Sequence, residues 1–254
     1  MAERHNNGKV DAPLEVHSKV GTTHDARETS VSSVPRPSYR KTANPGPLGL
    51  LGFAITTFVM GLYQCGAGLP GSDPFGSVGP DQAVFGLAVF FGGGAQIIAG
   101  IMEFVAGNTF GTTVHLSYGS FWLGFAMFLV PSLDIKGAYA GNERAFSFAL
   151  GIYLLFWCIL TIMFLVASLR TNLTVIAVFA LLVLAYFFLS IAQFIKTSHP
   201  DSASRVNKAG GGFAFICALA AFYAGASGLM VPETTFVRLP LGIVSRREEV
   251  VSTI

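Results

Sequence analysis

Residues 173–195 read LTVIAVFALLVLAYFFLSIAQFI, without one charged side chain. A helix of that length crosses roughly 30 Å of hydrocarbon, and inside lipid each backbone N–H and C=O must be satisfied within the segment, so the stretch reads as a membrane span. Outward from it, similar apolar stretches lie near 47–69, 82–106, 109–130, 146–169 and 211–232, separated by short polar breaks that hold most of the charge. The expectation is an all-α membrane protein of six transmembrane helices: 1–43 a disordered tail, 44–232 the six-helix domain, 233–254 a second tail.

Composition agrees: of 254 residues, 52% are hydrophobic and 12% charged, and mean hydropathy is +0.59. A net charge of +2 gives no argument for a nucleic-acid partner. Cys65, Cys158 and Cys217 fall inside apolar spans without metal-ligand spacing, so buried thiols are expected. Residues 1–43 mix charge with Ser/Thr/Pro runs such as 29–33, bury too little to offset their ordering entropy, and lack a signal-peptide core; the first span would direct insertion.

An even number of spans puts both termini on one side. That side would hold Arg36, Arg40, Lys41, Arg170, Arg238, Arg246 and Arg247, against Lys136, Arg144, Lys196, Arg205 and Lys208 on the other, which favours cytosolic termini.

The second span carries Gly86, Gly93, Gly100 and Gly107 at a spacing of seven, and the sixth carries Ala214, Cys217, Ala218, Ala221, Gly225 and Gly228. Such stripes let helices approach closely, either within one subunit or between subunits.

Few polar groups lie at membrane depth. Glu103 is the acidic residue inside a span, costly there unless protonated, paired or facing water; it is a candidate proton carrier, or a cap reaching a neighbouring helix through Asn108. His115 is the nearest candidate partner for it. Gln96 follows Gly92-Gly93-Gly94 and needs partners within protein or pore water, whereas Thr56, Thr57 and Thr161 can bond back to their own helix. Asn108-Thr109-Phe110-Gly111-Thr112 is a short connection whose amides open the third span, and Asn44 can cap the first. No paired carboxylates, metal-ligand cluster or nucleophile–base set is present, so no enzyme, metal or cofactor is expected.

The first span opens with Asn44-Pro45-Gly46-Pro47-Leu48-Gly49-Leu50, followed later by Phe91-Gly92-Gly93-Gly94-Ala95-Gln96-Ile97-Ile98-Ala99-Gly100 with Glu103, by 107–112, and by Ser117-Tyr118-Gly119-Ser120-Phe121-Trp122. These blocks, in this order, resemble the acetate uptake transporter family, which includes bacterial succinate–acetate permeases and fungal acetate and ammonia-export relatives. Departures are Gly46 where alanine is usual and Gln64 where asparagine is common.

The resemblance implies a six-helix subunit around its own narrow central pore, assembled as a homo-hexamer in the plasma membrane and moving small monocarboxylates with protons. It places a hydrophobic constriction on Phe53, Tyr118 and Leu182, which would gate by dewetting and pass acetate most cheaply as the neutral acid. Tyr118, Gln96 and the Asn108 turn would hold the carboxyl group on either side. The alternative within transport is ammonia export or a urea- or amide-type channel; outside transport, it is a structural or signalling membrane protein whose tail recruits partners.

Overall fold

Three helices begin on an asparagine whose side chain takes an otherwise orphaned helix N–H: Asn108 from Gly111 (3.0 Å), Asn142 from Ala145 (3.0 Å) and Asn172 from Val175 (2.9 Å). The computed structural model describes residues 42–76 and 80–244, so all but the end of the tail expected over 1–43, and the last part of that over 233–254, lie outside the described residues. Six long helices occur among them: α1 (Gly46–Gln64), α2 (Leu87–Val105), α3 (Thr109–Phe128), α4 (Glu143–Ser168), α5 (Leu173–Ile195) and α6 (Pro200–Leu229). All but α3 are long and apolar enough to cross a membrane alone. The third, which carries Thr112, Thr113, His115, Ser117 and Ser120, passes only together with the turns over Pro131–Tyr139, after a 75° bend.

Two boundaries differ from the hydropathy reading. The first helix ends at Gln64, not near 69, because Gly66 turns the chain at φ +85° with no room for a Cβ beside the Ser72 carbonyl. The sixth begins at Pro200, not near 211, with proline in its first turn and Asp201 beside the positive end of the helix dipole. Its opening turns carry Arg205 and Lys208, and hydropathy cannot see a helix that continues past the apolar slab.

The glycine stripe of α2 is broken by winding. Residues Leu87–Ala95 form a π-helix before α-helical Gln96–Val105, so the spacing of seven does not hold one face. Gly93 packs on Leu123 and Gly100 on Leu116, both of α3, whereas Gly86 and Gly107 face open space. On α6, Gly225 packs on Leu50 and Leu51, and Gly228 on Pro47. At these four small residues of the two stripes, contact, where it exists, is within the chain.

The three cysteines are free thiols, Cys158 and Cys217 buried and Cys65 half-buried. Each donates to a carbonyl of another helix: Cys65 to Lys208, Cys158 to Val183 and Cys217 to Val178.

Candidate functional site

At the end of the bundle where α1 begins, Asn44 does not cap in the usual position. Its Oδ1 accepts from the N–H of Gly46, the first helical residue, at 3.1 Å. Glu103 Oε2 accepts from Asn108 Nδ2 at 2.7 Å, and the Asn108 N–H bonds to the Glu103 carbonyl at 2.9 Å. Its carboxylate lies against Gly46 and Gly111, where a Cβ would come within 3.4 and 2.9 Å of it. Glu103 thus holds the turn between α2 and α3 through Asn108 and packs against the start of α1. Thr109 opens α3 on the exposed side of that turn.

His115 is buried against Gly49, with Nδ1 unpartnered, and no hydrogen bond joins it to Glu103 among the described residues. One α1 turn further on, Gly52 makes room for the Phe91 carbonyl beside Gln96, which is 1% exposed and whose Oε1 has no partner among the described residues.

Mid-bundle, the expected constriction residues are all buried: Phe53 at 5%, Tyr118 at 2% and Leu182 at 4% exposure. The Tyr118 ring meets Phe53 at 5.5 Å, Phe164 at 5.7 Å and Phe179 at 6.5 Å between centroids. Its hydroxyl lies 3.0 Å from Thr161 Oγ1, and Thr161 gives its own proton to the Trp157 carbonyl at 2.7 Å. Thr56 bonds back to the Gly52 carbonyl at 2.9 Å, as its helix position leads one to expect.

Phe53 and Leu182 also line a cavity of about 590 Å³ that extends to Gln64, Lys136, Glu143 and Lys196 at the opposite end of the bundle from Asn44. At that end Lys136 pairs with Glu143 at 2.9 Å and Lys196 stands 4.6 Å over the Phe75 ring. Three polar atoms on residues of its wall are buried without partners among the described residues: Thr57 Oγ1, Trp122 Nε1 and Asn207 Oδ1. A chamber whose walls combine aromatic and aliphatic side chains with polar groups such as Gln64, Gln193 and Asn207 suits a small solute carrying a polar group.

Trp122 was visible in the sequence as part of a motif and not as a lining residue. Asn207 was missed because it precedes the apolar part of α6. Its signal was present: Asn207, Gly211, Ala214, Ala218, Ala221, Gly225 and Gly228 alternate spacings of four and three, so the small-residue stripe runs back to Asn207.

A bundle of apolar helices enclosing a chamber lined in part by Phe53 and Leu182 has the build of a membrane transporter or channel. The chain belongs to the GPR1/FUN34/yaaH family, whose model matches residues 27–245. It is 37% identical over 197 residues to Ammonia transport outward protein 2 of Saccharomyces cerevisiae and 35% identical over 206 residues to Acetate permease A of Emericella nidulans. These alignments take in 78% and 80% of this chain but only 65% and 66% of those longer proteins. It is also 32% identical to the Succinate-acetate/proton symporter SatP of Escherichia coli, over 80% of this chain and 96% of SatP. The solved structure of the bacterial acetate channel SatP is similar with a TM-score of 0.64 at 31% identity, covering 80% of this chain and 99% of that one.

Proposed function

We propose that the protein carries acetate and other small monocarboxylates, together with protons, through a pore within each subunit whose narrowest point is formed by Phe53, Tyr118 and Leu182. The observation that carries this reading is the chamber that ends on Phe53 and Leu182, with the Tyr118 ring against Phe53. Water is expelled from such a ring, and a carboxyl group passes at least cost as the neutral acid, so the proton travels with the substrate. Asn44, Asn108, Thr109 and Gln96 belong to the pathway on the α1 entry side, Thr56 and Thr161 to the wall beside the plug. Glu103 and His115 are the groups in that half able to relay a proton; Glu103 already serves Asn108, while His115 Nδ1 is unpartnered. In this reading the subunit assembles as a homo-hexamer in the plasma membrane with cytosolic termini, and exposed apolar side chains such as Phe104 and Phe156 meet lipid or neighbouring subunits.

The test is uptake of radiolabelled acetate by liposomes containing the purified protein under an imposed pH gradient. Gradient-driven accumulation above empty liposomes is expected; its absence removes the proposal. Ammonia export is the second reading, favoured by the name of the yeast relative, and ammonium competition in the same assay separates the two.

A further inference from the structure

Where α6 crosses the end of α1, Gly211 allows near backbone contact: a Cβ there would lie 2.7 Å from Cys65 N and from Gln64 C. One turn earlier on α6, Asn207 is fully buried. Its Nδ2 donates to the Gln64 main-chain carbonyl at 3.0 Å and also to Gln64 Oε1. A main-chain carbonyl can only accept, so the atom facing it must be Nδ2, and the atom of Gln64 facing Nδ2 must be Oε1. Both amide orientations are thereby fixed. Among the described residues two groups remain, an acceptor at Asn207 Oδ1, buried without a partner, and the donor Nε2 of Gln64, on residues that line the same cavity.

We propose that Gln64 and Asn207 form a recognition site for a neutral planar group that carries a donor and an acceptor on one carbon, namely a protonated carboxyl or a primary amide. Such a group gives its O–H or N–H to Asn207 Oδ1 and takes an N–H from Gln64 Nε2. A carboxylate offers acceptors alone. It leaves Oδ1 unpaired and places like partial charges together, and a site built around a hydrogen bond rejects a ligand that cannot make it. The pair therefore selects the protonated acid before the plug is reached. For its physiological ligand this rests on the carboxylate-transport reading; the recognition chemistry itself does not.

The test uses the full chain in liposomes, with acetate and acetamide as probes and tryptophan fluorescence, to which Trp122 on the same cavity wall contributes, as the binding signal. In wild type, acetamide should bind equally at acidic and neutral pH, and acetate about tenfold more tightly at acidic pH. Gln64→Glu keeps the acceptor for Asn207 Nδ2 but replaces the donor, and should weaken acetamide about tenfold; Asn207→Leu should do so at least as strongly. Should Asn207→Leu fail to reconstitute, Gln64→Glu decides, being nearly isosteric. No acetamide binding in wild type, acetate binding independent of pH, or unchanged acetamide affinity in Gln64→Glu would overturn the site. Acetamide binding that depends on both residues in a protein that carries no acetate would uphold the site and overturn the transport reading; acetate uptake alongside indifferent variants would do the reverse.

Discussion

Tyr118 on α3 donates its hydroxyl proton to Thr161 on α4 across 3.0 Å, because the Thr161 proton is already given to the Trp157 carbonyl. The hydroxyl expected to hold a carboxyl group is therefore committed, and what Tyr118 presents elsewhere is its ring. Phe53, Phe164 and Phe179 pack around that ring, so the hydrogen bond to Thr161 sets the orientation of this aromatic cluster.

This pairing predicts an order of damage. Thr161→Val strands a buried Tyr118 hydroxyl and should cost about 1–3 kcal/mol, whereas Tyr118→Phe removes the donor itself and should cost about 1 kcal/mol or less. Thermal unfolding of the detergent-purified variants checks this, and the reverse order would mean that Thr161 is the donor.

Leu182→Ala should widen the floor of the chamber. Acetate uptake is expected to persist while lactate uptake rises severalfold relative to it. An unchanged acetate-to-lactate ratio at equal protein would take Leu182 out of the constriction.

Glu103→Gln retains an oxygen able to accept from Asn108 Nδ2, so the latch survives and the pH profile of acetate uptake should superimpose on that of wild type. Glu103→Ala leaves Asn108 and the first turn of α3 unsupported and should lower stability by about 1–3 kcal/mol. A flattened rise toward acidic pH in Glu103→Gln would instead make this carboxyl the carrier of the coupled proton.

Gly93→Leu has no room: even a Cβ would sit 2.6 Å from the Ala88 carbonyl and from Leu123. The contact lies inside one chain, so the expected result is loss of folded protein rather than a change in oligomer size. Native mass measurement of a normal yield of assembled variant would contradict it.

The segment after α6 runs back along the turn between α4 and α5. Gly242 and Leu241 accept from the N–H groups of Leu173 and Thr174 (2.8 and 3.3 Å), and Tyr223 and Ser227 donate to Pro240 and Leu239. Truncation after Arg238 removes these bonds at about 0.5–1.5 kcal/mol each and should lower the melting temperature by about 2–4 °C per kcal/mol lost. An unaltered melting curve would show that the strap does not stabilise the α5 start.

Apolar run length determined the existence and type of each helix, because a bilayer admits few alternatives to a helix for an uncharged stretch such as 173–195. Local chemistry that depends on near neighbours was equally legible: the Thr56 back-bond, the reach from Glu103 to Asn108 and the buried thiols of Cys158 and Cys217, whereas Cys65, expected buried, is half-buried just past the end of α1. Rules that look only along the chain could not register the π-winding that takes Gly86 off the packed face, the end of α2 that leaves Gly107 in a turn at φ +77°, nor the charged turns that start α6 at Pro200. Which polar atoms stay unpartnered was decided by the tertiary structure alone. Asn207 meets Gln64 across 143 positions of sequence, and Thr57, Trp122 and Asn207 share one wall because α1, α3 and α6 are brought together by glycines whose missing side chains make room for a neighbouring helix.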